Sequence, residues 1–198
     1  ADVKIDPDDR GFTVGDVIFD AVRTFNGKSF RMKEHVDRMY RSLKYVRIDP
    51  GLSPEELLNI SEEAIQRNLH LLDEVGDFSL YMFVTRGPGR WSRSAGPPAV
   101  CVKVSEMDFG KYGGYMKEGA RTVITRTRSY SAESVDPKVK HFSRMNFNLA
   151  DLEARDVDED AMAILMDAEG NLTEGTGYNF FLVTDGVIRT PGDETLLQ

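Results

Sequence analysis

The chain has 198 residues, 40% of them hydrophobic and 29% charged, which is ordinary globular usage and enough for one large domain or two small ones. Its net charge of -8, with no run of four or more Lys or Arg, argues against nucleic acid and anionic membrane surfaces as partners. A single cysteine, Cys101, excludes a disulfide framework or a cysteine zinc site within the chain.

The opening Asp6-Pro7-Asp8-Asp9-Arg10-Gly11 is turn chemistry. Asp16 to Phe25 is rich in β-formers and breaks at Asn26-Gly27, so the pattern predicts a hairpin that returns through Ser29-Phe30-Arg31-Met32. Alternation along the first strand puts Phe19, Ala21 and Arg23 on one face and Ile18, Asp20 and Val22 on the other. Lys33 to Tyr45 places Val36, Met39, Tyr40 and Leu43 at helical spacing, and Ser53-Pro54-Glu55-Glu56 opens a second helix expected to run to about Leu69. Phe78–Thr85 and Ala99–Val104 read as strands around a loop rich in Gly, Pro, Ser and Arg. Cys101 lies in an apolar run and reads as a small buried hydrophobe.

Met107 to Gly119 carries Gly110, Gly113, Gly114 and Gly119 and loses apolar periodicity, as an interdomain connection does. The predicted organisation is a small α+β domain over 1–105, a linker over 106–119 and a second domain over 120–198. In that second part Arg121–Thr125 is expected as a strand, Phe147–Ala154 as a helix, and Ala161–Met166 and Asn179–Val183 as strands, with Asp185-Gly186 turning into Val187-Ile188. His35, His70 and His141 are too scattered for a metal site, so none is expected. No segment has the length of a membrane span and the first residues lack a signal-peptide layout, which sets the expectation of a soluble, cytoplasmic protein.

Three segments together resemble the class IV, or fold type IV, pyridoxal-phosphate-dependent aminotransferases, a family that includes branched-chain, D-amino-acid and (R)-amine transaminases and aminodeoxychorismate lyase. The first comprises Asp9-Arg10-Gly11-Phe12 through Gly15-Asp16, with Phe30 to Met39, where Arg38 matches the family's phosphate-binding arginine. A guanidinium stays charged and offers a planar fork of donors suited to a phosphate. In the second, Asp136-Pro137-Lys138-Val139-Lys140-His141-Phe142 followed by Leu149-Ala150 and Glu153-Ala154, Lys140 matches the Schiff-base lysine. Lys138 competes for the role, since in an extended segment both lysines point to one side. The third, Asn171-Leu172-Thr173-Glu174-Gly175-Thr176-Gly177-Tyr178-Asn179-Phe180, matches the signature whose glutamate, here Glu174, pairs with the pyridine nitrogen. The resemblance implies that Thr176, Gly177, Tyr178 and Asn179 also touch the cofactor.

What the resemblance implies is a mixed α/β, two-domain fold with a small α+β N-terminal domain and a larger β-rich C-terminal domain, extended in relatives at both ends. It also implies pyridoxal 5'-phosphate as cofactor, an amino donor and a 2-keto-acid acceptor as substrates, and a homodimer. Phe19 and Arg23 are candidate substrate contacts, Arg23 either at the rim or reaching a substrate carboxylate. The sequence departs from branched-chain enzymes at Tyr178 and at Ser143-Arg144-Met145, which favours the D-amino-acid or (R)-amine side. An aminodeoxychorismate-lyase-like enzyme sharing the same lysine, glutamate and arginine is the alternative, and a non-catalytic remnant is a further one.

Overall fold

The computed structural model describes residues 4–89, 96–107, 109–192 and 196; residues 90–95 of the expected Gly/Pro/Ser/Arg loop lie outside the described residues. The chain divides into two compact units, one of residues 1–108 with 140–143, the other of residues 109–139 with 144–198.

In the first unit a short helix α1 (Arg10–Val14), capped by the Asp9 side chain and stopped by Gly15 in the left-handed region, leads into strand β1 (Val17–Phe25). β2 (Lys28–Ser29) is only two residues long, shorter than the expected return strand. The reason is Arg31, at φ 54, a left-handed conformation that ends an extended segment and precedes helix α2 (Met32–Val46). Helix α3 (Pro54–Gln66) begins with Ser53, whose side chain accepts from the Glu56 amide while Glu56 accepts from the Ser53 amide, a complete capping box. A 3-10 turn (Leu69–Leu71) and helix α4 (Leu72–Val75) follow it, so α3 itself stops short of Leu69.

Strands β3 (Phe78–Thr85) and β4 (Val100–Glu106) complete an antiparallel sheet of order β2-β1-β3-β4. Helices α2 and α3 cover one face. That face carries Ile18, Val22, Leu80, Met82 and Val84, all buried, against Val36, Met39, Leu43, Leu57 and Ile65 of the helices. The opposite face carries Phe19, paired with Phe83, and Ala21, paired with Tyr81; apart from Val17 at its end, its residues are half-buried or exposed. One charged residue, Asp20, sits on the apolar face and is fully buried.

The second unit opens with α5 (Phe109–Glu118), a helix where the sequence reads as a connection. Glycines weaken a helix interior without forbidding it, and the actual stop is Gly119, at φ +78, whose amide donates to the Tyr115 carbonyl. Strand β5 (Thr122–Arg128), helix α6 (Met145–Val157) and strand β6 (Met162–Met166) form a parallel crossover, and β7 (Leu172–Gly175) adds antiparallel to β6. The core is Phe147, Ala150 and Ala154 of α6 packed on Ala161, Ala163 and Leu165. β8 (Leu182–Thr184) and β9 (Val187–Arg189) make a separate hairpin at Asp185-Gly186.

Candidate active site

The start of β1 carries a second partner on its outer edge. Phe19 donates its amide to the Lys140 carbonyl (3.1 Å) and Phe142 donates to the Val17 carbonyl (3.1 Å), with Ile18 opposite His141. Lys140 is thus held beside the sheet edge by an isolated bridge at His141, although its position is remote in sequence. Its own amide donates to Ser42 Oγ of α2 (3.3 Å). The Lys140 Nζ stands 4.6 Å from the centroid of the Phe19 ring, and Phe142 packs on the same ring at 4.5 Å. Lys138, the competing lysine, is exposed, in a turn where its amide donates to Asp136 Oδ1 (2.9 Å). His141 is held by its backbone pairing with Ile18.

Arg38 lies one helical turn before Ser42, on the same face of α2. Its guanidinium donates side-on to the buried Asp20 carboxylate, Nε to Oδ2 at 2.8 Å and Nη2 to Oδ1 at 2.7 Å. His35 Nδ1 lies 2.8 Å from Asp20 Oδ1. Burial alone works to raise the Asp20 carboxyl, but the hydrogen bonds and charges of His35 and Arg38 outweigh it and hold the group below the usual carboxylate range. Arg38 and Lys140 are therefore both organised around one edge of β1, through Asp20 and Ser42. Neither of those two residues was singled out by the sequence. The signal was present, however: each is a polar residue on an apolar face, Asp20 between Ile18 and Val22, Ser42 beside Leu43.

In the second unit Glu174 is half-buried near the end of β7, next to Thr173, whose hydroxyl donates to the Leu165 carbonyl (3.1 Å). The chain then folds back tightly, the Gly175 amide donating to the Tyr178 carbonyl (2.8 Å). Tyr178 lays its ring on Gly175 and donates its hydroxyl to the Ala163 carbonyl (2.5 Å). Burial first, then Asp151 and Tyr115, push the Tyr178 phenol up to about 12, so it stays a donor. The Thr176 hydroxyl donates to Asp151 Oδ1 (3.0 Å), while Gly177 and Asn179 are exposed. Arg144 donates to the Thr176 carbonyl (3.3 Å) and stacks on Phe147 at 4.6 Å. Burial pushes the Arg144 guanidinium down and the charge of Glu174 pushes it back, so the arginine that departs from the branched-chain pattern is an electrostatic neighbour of the signature glutamate. A groove of about 320 Å³ opens here, lined by Tyr115, Arg144, Phe147, Asp151, Thr176 and Tyr178 among others.

Arg23 is half-buried at the end of the Phe19 face, its Nε donating to the Thr24 carbonyl (3.3 Å) and its guanidinium 3.9 Å over the Phe25 ring. Cys101 is half-buried, and burial pushes its thiol up, away from the reactive thiolate. Among the described residues no cluster of His, Cys, Asp and Glu has the make-up of a metal centre, and no helix is long and apolar enough to cross a membrane.

Comparison with known proteins places these features among relatives. The profile of the family described as amino-transferase class IV matches residues 17–198. A Methanocaldococcus jannaschii protein provisionally described as a branched-chain-amino-acid aminotransferase is 32% identical over 96% of this chain and 64% of its own length. A D-alanine aminotransferase of Staphylococcus aureus is 25% identical over the same shares. Among solved structures, the branched-chain aminotransferase of Thermoproteus uzoniensis with norvaline superposes with a TM-score of 0.82 at 25% identity, covering 98% of this chain and 65% of that one. The T.th. branched-chain amino acid aminotransferase with pyridoxamine 5'-phosphate does so at 0.82 and 28%, covering 98% and 64%. This chain thus spans 64% of the length of these curated relatives.

Proposed function

The chain belongs to the class IV amino-transferases, and from that membership we propose that it carries the working residues of a pyridoxal-phosphate-dependent enzyme moving an amino group from an amino acid or amine to a 2-keto acid. The observation that carries the reading is the shared edge of β1, where Ser42 ties the Lys140 backbone to the helix that bears Arg38. The donor set fits the cofactor in kind: an amine for its aldehyde, a guanidinium for its phosphate, a carboxylate for its ring nitrogen. When bound, pyridoxal phosphate supplies an aldehyde that takes up the amino group and a ring that draws electrons from the substrate Cα.

The protein's own residues supply the rest. Lys140 Nζ would hold the cofactor through its aldehyde and would carry the proton at the substrate Cα. The Phe19 ring lies 4.6 Å from the amine, and Phe142 packs on that ring in turn. Arg38 would receive the phosphate, and Glu174, an electrostatic neighbour of Arg144, would pair with the ring nitrogen. Thr176, Gly177, Tyr178 and Asn179 form the turn that borders the ring. Residues 1–105 act as the small domain and 120–198 as the cofactor-binding domain, joined through 106–119. A cytoplasmic homodimer is the assembly that this reading entails.

The test is a screen of amine donors against pyruvate and 2-oxoglutarate with pyridoxal phosphate present. Amino transfer is the expected result; cofactor binding without transfer from any donor would end the reading. Within it, Glu174→Gln is expected to lower turnover about a hundredfold while leaving substrate affinity nearly unchanged, as loss of a group that acts on developing charge does. Single-turnover rates separate the two, and unchanged turnover removes Glu174 from the site.

Arg23, on the Phe19 face, is proposed to receive a keto-acid carboxylate. Arg23→Ala is expected to raise the KM for 2-oxoglutarate about tenfold or more, the order of a lost charge-assisted hydrogen bond, with little effect on amines that lack a carboxylate. Equal effects on both substrate kinds would return Arg23 to a rim residue resting on Phe25.

A further inference from the structure

We propose that Asp20 is a positioning residue that fixes the Arg38 guanidinium for the cofactor phosphate, with His35 completing the clamp; the inference rests on the phosphate reading of Arg38. Asp20 is fully buried on the helix-covered face of β1, where a lone carboxylate would be costly. Both its oxygens are used. Oδ2 accepts from Arg38 Nε, and Oδ1 accepts from Arg38 Nη2, from His35 Nδ1 and from the Ala21 amide (2.8 Å).

The hydrogen-bond roles follow from chemistry. An ionised carboxylate only accepts, so His35 Nδ1 carries the proton and donates to it. The 3.4 Å approach of Arg38 Nη2 to that nitrogen is then a contact between two donors. A planar guanidinium gripped through Nε and one Nη has its plane set, and its opposite edge turned away from Asp20. The grip is referenced to Lys140, because Asp20 follows Phe19, whose amide donates to the Lys140 carbonyl, and Arg38 precedes Ser42, which accepts the Lys140 amide.

Two effects of Asp20 on an anion oppose each other, which gives the inference a sign. By charge alone, a carboxylate 2.7 Å from Arg38 cancels its attraction, so removing it strengthens phosphate binding. By positioning, removing it lets a long side chain regain its rotamers and lose its aim, so phosphate binding weakens. The buried two-point grip favours the second effect, since the pair forms a fixed unit inside the fold instead of a screened surface contact.

The experiment compares dissociation constants of pyridoxal 5'-phosphate and of pyridoxal, which lacks the phosphate, and takes their ratio as the readout. Asp20→Asn keeps the shape but replaces one acceptor oxygen with a donor NH2. It is expected to reduce the preference for the phosphorylated form about tenfold or more, the scale seen for residues that orient metal ligands, while pyridoxal affinity holds. Asp20→Glu is expected to restore part of the preference. His35→Ala, which removes one support of the carboxylate, moves the ratio in the same direction and serves if Asp20→Asn does not fold. Arg38→Gln separates the two readings: if it leaves the ratio unchanged, Arg38 does not hold the phosphate. If Arg38→Gln collapses the ratio while Asp20→Asn and His35→Ala leave it unchanged or raise it, the positioning role of Asp20 is overturned.

Discussion

Replacing Lys140 with alanine is expected to lower amino transfer by about a thousandfold or more, because on the proposed reading one amine would both hold the cofactor and carry the proton at Cα. Lys138→Ala is expected to leave turnover intact. The two lysines share a segment but not an environment: Lys140 pairs with β1 and sets its Nζ over Phe19, whereas Lys138 is exposed in a turn. Borohydride reduction of the cofactor-loaded protein, followed by peptide mass spectrometry, is expected to find the adduct on Lys140 and to find none in Lys140→Ala. An adduct on Lys138 would move the assignment to the exposed turn, away from the pairing with β1 and from Ser42.

The second large effect concerns stability. A Cβ built on Gly175 falls 2.0 Å from Tyr178 Cε2 and 2.1 Å from its Cζ, far inside contact distance. The ring cannot simply lean away, because its hydroxyl is tied to the Ala163 carbonyl in β6. Gly175→Ala must therefore displace Tyr178, and is expected to destabilise the fold by about 1–3 kcal/mol through overpacking, with about as much again if the Ala163 carbonyl is left without its partner. Urea unfolding of Gly175→Ala, Tyr178→Ala and the double variant checks the cause. With the ring removed the glycine should no longer matter, so the double variant should cost less than the sum of the single ones. Additive losses would show that Gly175 is required by its backbone instead.

Much of the first unit is legible from pattern. β3 covers the residues that its alternation predicts, and the two faces of β1 divide as the period of two requires, because one face is buried under helices. The hairpin return failed at Arg31, whose positive φ is set by the start of α2 and leaves no trace in composition. β7 was missed because Thr173-Glu174-Gly175 has turn chemistry, and only pairing with β6 draws it into a strand. α5 was missed because its glycines hide the helix. At the site, each candidate was named by resemblance to a family. Their mutual support was not: the roles of Asp20 and Ser42 depend on strand pairing over long sequence separation, which a local reading does not contain.

The edge pairing of Lys140 with β1 also has a meaning for how the protein is made. Roughly 120 residues separate Phe19 from the lysine segment that covers its strand, on the order of ten seconds of synthesis. Once β3 and β4 have been made within that interval, the N-terminal unit can form its helices and sheet, yet among the described residues the edge of β1 at residues 17–19 still awaits its backbone partner at 140–142. An open strand edge of that kind is a template for pairing with other nascent copies. The arrival of Lys140–Phe142 therefore closes an aggregation-prone edge in the same event that installs the lysine. On the proposed reading of Lys140, one missed pairing would leave both an open strand edge and an unplaced lysine.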